Sequence, residues 1–84
     1  MEDPMERLVA DGLNAGGHTY VADGRGETLG LDFFLPTSGV YIEVKRMHSD
    51  RIAEQMSRAE NVIAAQGPDA VRLLARLLAG IRPA

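Results

Sequence analysis

The chain has 84 residues, a net charge of −3 and no cysteine, so disulfides are excluded and a single small domain over residues 1–84 is expected. His18 and His48 stand too far apart in the sequence to form a structural zinc site. No apolar run approaches the ~20 residues of a membrane span and the start MEDPMER is not signal-like, so we expect a cytoplasmic protein (host cytoplasm if phage-encoded) without membrane contact.

Seven elements are predicted in chain order. The first is a helix, because Pro4 suits a first helical turn and apolar residues recur at helical spacing. After a glycine-ended break come three short strands, a helix that Ser49 and Asp50 can cap, a buried apolar strand and a helix bounded by proline and glycine. The predicted bounds are helix 4–13, strands 18–23, 29–35 and 40–46, helix 50–60, strand 61–67 and helix 68–80.

This order predicts an α/β fold of the α+β type, in which helices flank a four-stranded mixed sheet. The last two strands are joined through a helix, which favours a parallel pairing and a right-handed crossover. A core this small confers limited stability, and we therefore expect a homodimer.

The strands 29–35 and 40–46 are predicted to form a hairpin around the turn PTSG. A turn centred on Thr37 and Ser38 keeps the apolar residues of both strands on one face, and a one-residue slip would break that match. In this register Asp32 faces Glu43, and Lys45 lies on the same face.

Like charges directly opposite each other destabilise a sheet unless something compensates them. A hard cation such as Mg²⁺ prefers carboxylate oxygens and takes up substrate phosphate, so it is the natural compensator. Lys45 can orient the attacking water, help to deprotonate it, or neutralise charge on a phosphate oxygen. Taken singly, these residues are also compatible with a solvated strand face or, for Asp32, a turn-side cap.

The run LDFFLPTSGVYIEVKRMHSDRIAEQMSRAENVIAAQG resembles the core of the PD-(D/E)XK nuclease superfamily, which includes restriction endonucleases, Holliday-junction resolvases and small phage or repair nucleases. The resemblance implies a restriction-endonuclease-like αβββαβ core followed by a C-terminal helix. It makes Asp32 the first motif carboxylate and Glu43-Val44-Lys45 the E-x-K. Leu31 stands where the family often has proline, and Ala59 stands where one branch has a tyrosine.

The resemblance also implies further site residues. Glu6 would be the helix carboxylate, with Glu2 the weaker candidate, and Gln55 would be the glutamine that follows the E-x-K. Metal ligands would be Asp32, Glu43, the Val44 carbonyl and Glu6.

The expected function is a Mg²⁺- or Mn²⁺-dependent nuclease that hydrolyses DNA phosphodiester bonds, with RNA left open. One alternative is a catalytically silent nuclease-fold module that binds nucleic acid or a partner protein, and another is a structural protein whose hairpin face is merely charged. The net negative charge argues weakly against nucleic acid, but basic residues gather after the E-x-K. Weak candidates for nucleic-acid contacts are Arg25, Arg46, His48 and Arg51.

Overall fold

A computed structural model describes residues 3–23, 26–47 and 51–83 of the chain. In these ranges three helices and three strands form a mixed α/β arrangement. The elements are α1 (Pro4–Ala15), β1 (Phe33–Leu35), β2 (Val40–Lys45), α2 (Ile52–Met56), β3 (Val62–Gln66) and α3 (Pro68–Gly80), with a short 3-10 turn at Gly26–Thr28 before β1.

The two long helices form where the sequence predicts them. Asp3 caps α1, since its Oδ1 accepts the backbone N–H of Met5 at 2.8 Å, and Pro4 occupies the first turn. Helix α3 has the predicted bounds. It follows Gly67, whose φ of 90° suits glycine and turns the chain back from β3 over the sheet.

The sheet has the order β1-β2-β3, with β1 and β2 antiparallel and β2 and β3 parallel. The hairpin register is Phe33 opposite Ile42, Phe34 opposite Tyr41 and Leu35 opposite Val40, as the apolar pattern predicts. The parallel pairing of the last two strands is also confirmed.

The predictions of a four-stranded sheet and of the αβββαβ order of a restriction-endonuclease-like core are wrong for the described residues, because the segment 18–23 does not form a strand. Val21 alone pairs with Phe34, through two backbone hydrogen bonds of 2.8 and 2.9 Å. Side chains hold the rest of the segment instead: a His18 ring nitrogen lies 2.9 Å from the Leu78 carbonyl, and Asp23 accepts the Thr28 hydroxyl. These side-chain contacts and the three-residue length of β1 limit the backbone pairing between the segment 18–23 and β1.

Two other elements are shorter than predicted. The strand 29–35 is reduced to Phe33–Leu35, because Leu29 (φ 54°) and Gly30 (φ 79°) have left-handed backbone and residues 31–32 bend. The helix 50–60 is reduced to Ile52–Met56, which buries no residue and so has little packing to extend it. The predicted caps Ser49 and Asp50 lie outside the described residues.

The core lies between the sheet and one layer formed by α1 and α3. Phe33, Ile42 and Val44 face the two helices and pack with residues such as Leu13 and Val71. Gly12 lets the helices approach closely, since a Cβ there would stand 2.4 Å from the Ala75 carbonyl oxygen. This contact fixes α1 over the hairpin.

None of the helices in the described ranges has the length and apolar character that crossing a membrane requires.

Candidate functional site

Hydrogen bonds between side chain and backbone join Asp32 to Glu43 and Val44 at the end of the hairpin. The backbone N–H of Asp32 donates to Glu43 Oε1 at 3.2 Å, and the backbone N–H of Val44 donates to Asp32 Oδ2 at 2.7 Å. Asp32 lies in the bend just before β1. Its side chain accepts the backbone N–H of Val44, beyond the last backbone pair between β1 and β2. The structure therefore brings the two predicted carboxylates together, with Asp32 one position outside the strand.

Val44 presents its backbone to the same place. Residues of β2 alternate in the direction of their backbone groups: Tyr41 and Lys45 bond toward the β3 side, whereas Val44 bonds toward Asp32. In an extended strand the N–H and C=O of one residue point the same way. The Val44 carbonyl therefore points to the side of β2 on which Asp32 lies. A carbonyl that shares a metal ion with Asp32 has to point in this direction.

Lys45 is the only lysine of the chain, which uses arginine at every other basic position apart from the histidines. Its Nζ lies 3.3 Å from Glu43 Oε2, and its side chain is partly exposed while that of Glu43 is almost fully buried. Lys45 therefore connects the buried carboxylate with solvent.

Glu6 of α1 approaches the same carboxylates. Partial burial, followed by the charges of Asp32 and Asp3, raises its pKa from 4.5 to about 7. Hydrogen bonding with those two carboxyl groups adds to the effect. The structure thus brings the predicted helix glutamate to the hairpin, and it adds Asp3, which sequence reasoning missed although Asp-Pro is typical of a helix start. Glu2 lies outside the described residues.

Glu43 has a pKa of about 7 as well. Burial is the largest cause, and the hydrogen bond and charge of Asp32 raise it further, while Lys45 lowers it. Only 3% of the residue is exposed. Glu6 and Glu43 therefore both have pKa values near neutral pH, and a cation would relieve the crowding that raises them.

Gln55 lies on α2, and no hydrogen bond among the described residues ties its amide oxygen to the carboxylates. Its Oε1 is buried and has no hydrogen-bond partner in the described structure. A buried amide oxygen without a partner is costly, but nothing in the described residues links Gln55 to Glu43 or Lys45. Its role in the site stays a prediction.

The weak candidates for nucleic-acid contacts are only partly described. Arg46 is exposed and lies 3.8 Å from Asp3 across the gap between β2 and α1, which places a guanidinium beside the carboxyl cluster. Arg51 is exposed at the start of α2. Arg25 and His48 lie outside the described residues.

Over the described ranges, no group of three or more His, Cys, Asp or Glu side chains stands close enough to hold a metal ion by itself. The carboxylate oxygens of Asp32 and Glu43 lie at the same end of the hairpin, beside the backbone of Val44.

No protein-family model, curated protein or solved structure matches the chain at a significant level.

Proposed function

We propose that the protein is a Mg²⁺- or Mn²⁺-dependent nuclease that hydrolyses phosphodiester bonds of DNA, on a PD-(D/E)XK nuclease-like domain. The observation that supports it best is the hydrogen bonding at the end of the hairpin: Glu43 accepts the backbone N–H of Asp32, Asp32 accepts the backbone N–H of Val44, and Lys45 lies 3.3 Å from Glu43. An all-oxygen donor set beside one ammonium group suits phosphate chemistry.

The donor set fits a hard divalent cation. Mg²⁺ is commonly bound by one or two carboxylates together with water and substrate phosphate, so two carboxylates suffice. Asp32, Glu43 and the Val44 carbonyl would hold the cation, and Glu6 would complete or orient the set. When bound, the cation supplies positive charge that polarises phosphoryl oxygens and favours the ionisation of water.

The chain's own groups supply the remaining chemistry. Hydrolysis joins the oxygen of water to phosphorus and breaks one P–O ester bond, and the leaving alcohol oxygen gains a proton. Lys45, 3.3 Å from Glu43, would orient the water and neutralise charge on a phosphate oxygen. Glu6, which lies beside Asp32, would orient the water or the metal ligands.

Two copies of the chain would share one DNA duplex, because a domain of this size offers little surface. A two-fold dimer with two sites suits a palindromic or branched substrate. Arg46 is exposed beside Asp3, Arg51 is exposed at the start of α2, and both would contact phosphates.

The test is incubation of the purified chain with supercoiled, branched and single-stranded DNA in Mg²⁺ or Mn²⁺. We expect wild-type cleavage and a loss of about 100-fold or more for Lys45→Ala, the scale of a lost acid–base or electrostatic group. Arg72→Ala is the matched control, because Arg72 is an exposed basic residue of α3 that pairs with Asp69. Absence of cleavage, or equal cleavage by Lys45→Ala, refutes the proposal.

A second candidate is a catalytically silent module that binds nucleic acid or a protein partner. It is favoured by the burial of Glu43 and by the backbone N–H groups that both carboxylates accept, since these bonds serve the hairpin without any cation. Calorimetric titration with Mn²⁺ separates the two functions. The silent module predicts no binding heat, and DNA or partner binding that Asp32→Asn leaves unchanged.

A further inference from the structure

The two edges of the sheet differ in their backbone pairing. At the β1 edge, Val21 pairs with Phe34 and closes that side. At the other edge stands β3, a strand of the sequence VIAAQ without charge, proline or bulge. Exposed edges of this kind pair readily with other strands, and proteins usually block them with charges, prolines or bulges.

The open backbone groups of β3 can be assigned. The Asn61 carbonyl accepts from Tyr41, and the Gly67 N–H donates to Lys45, both at 2.8 Å, so odd-numbered residues of this segment bond toward β2. By alternation, Val62 and Ala64 direct their N–H and C=O groups away from the sheet. In the described part of the chain no segment pairs with them.

Apolar side chains border this edge. Ile63, on the helix-facing side of β3, is 45% exposed. Helix α3 packs against α1 through its Ala75 side, so Leu73 and Leu77 lie on the side turned away from α1. They are 57% and 49% exposed, large fractions for leucines of so small a domain.

We propose that this surface, made of β3 with Ile63, Leu73 and Leu77, pairs with a second copy of the chain. The two β3 strands lie antiparallel about a two-fold axis at Ala64, and the two sheets become one continuous sheet.

The strand is self-complementary in this register. Ala64 faces its own copy, Val62 faces Gln66, and Ile63 faces Ala65, so no like charges meet and the smallest side chain lies on the axis. The leucines of the two α3 helices then meet above the seam. A standard interface takes about 800 Å² from each partner, which a chain with 5227 Å² of surface can supply.

Sedimentation and light scattering test the pairing without DNA or metal, over roughly 1–300 μM, a range that resolves micromolar association. We expect a mass twice the 9.1 kDa of the chain. The double variant Leu73→Lys with Leu77→Lys is expected to be monomeric, with unchanged circular dichroism. Leu8→Lys, at an exposed position of α1, is the control and is expected to stay dimeric. A wild-type monomer, an open-ended assembly or a dimeric double variant overturns the proposal.

Cross-linking tests the register directly. The chain has no cysteine, so any disulfide must come from an introduced thiol. Ala64→Cys is expected to give a disulfide-linked dimer on mild oxidation, since directly opposed residues in a hydrogen-bonded pair have Cα atoms about 5.5 Å apart. Leu8→Cys is expected to stay unlinked. Equal linking of both variants, or none for Ala64→Cys, refutes the register. Because neither experiment involves catalysis, failure here leaves the proposed nuclease activity untouched, and the reverse holds too.

Discussion

Replacing Glu43 by glutamine is expected to stabilise the cation-free protein above pH 7. The carboxyl group is buried beside Asp32, and its pKa rises from 4.5 to about 7. At about 1.4 kcal/mol per pKa unit, ionising it costs at most about 3 kcal/mol more in the folded than in the unfolded chain. That is a large share of the roughly 5–10 kcal/mol that stabilises a domain of this size. The amide oxygen of glutamine still accepts the N–H of Asp32, so the hairpin is kept.

The raised pKa fixes the direction of the pH dependence. Between about 4.5 and about 7 the folded protein keeps a proton that the unfolded chain releases, so the free energy of unfolding falls as pH rises through this window. Urea unfolding followed by circular dichroism in EDTA, on both sides of the window, measures the fall. We expect a smaller fall for Glu43→Gln. Above pH 7, added Mg²⁺ or Mn²⁺ is expected to stabilise the wild type and not the variant.

Glu54→Gln is the matched control, because Glu54 is an exposed glutamate of α2 that lies 3.8 Å from Arg58. It is expected to keep the wild-type pH dependence. The reasoning is refuted if Glu43→Gln is less stable than the wild type above pH 7 in EDTA, or if both lose the same free energy across the window.

Two further substitutions test the hairpin and the helix contact. Asp32→Ala removes the acceptor of the Val44 N–H and is expected to lower the free energy of unfolding in urea by about 1–3 kcal/mol. Asp32→Asn keeps an acceptor and is expected to lower it less. Equal losses for the two variants would argue against this hydrogen bond. Gly12→Ala places a Cβ 2.4 Å from the Ala75 carbonyl oxygen and is expected to cost about 1–3 kcal/mol by overpacking. Gly80→Ala, where a Cβ meets nothing within 4 Å, is expected to be neutral or stabilising, and a similar Tm loss for both glycine variants would contradict the close helix contact.

The hairpin was predictable because its register follows from an apolar pattern of period two. Leu35 with Val40 and Phe33 with Ile42 can share a buried face in one register only, and that register carries Asp32 to Glu43. Helix α3 was predictable in the same way, since proline and glycine mark its ends and its apolar residues recur at helical spacing.

The remaining features depend on contacts that no local pattern contains. Leu29 continues the alternation of the strand, but its left-handed backbone turns it out to solvent. The segment 18–23 is β-prone, yet the contact between His18 and Leu78 joins residues 60 positions apart. The approach of Glu6 to Asp32 likewise needs α1 fixed by α3, which the sequence pattern of α1 alone does not reveal.

The hydrogen bond from Val44 to Asp32 makes one amide proton a reporter of the whole site. At 2.7 Å the N–H points directly at a carboxylate oxygen, so its nuclear magnetic resonance frequency follows the charge on that oxygen. Proton uptake by the neighbouring Glu6 or Glu43, and cation binding, change the electrostatic field at this oxygen in different ways. A single peak in a ¹⁵N-correlated spectrum would therefore distinguish an empty, a protonated and an ion-loaded site, with no substrate and no introduced label.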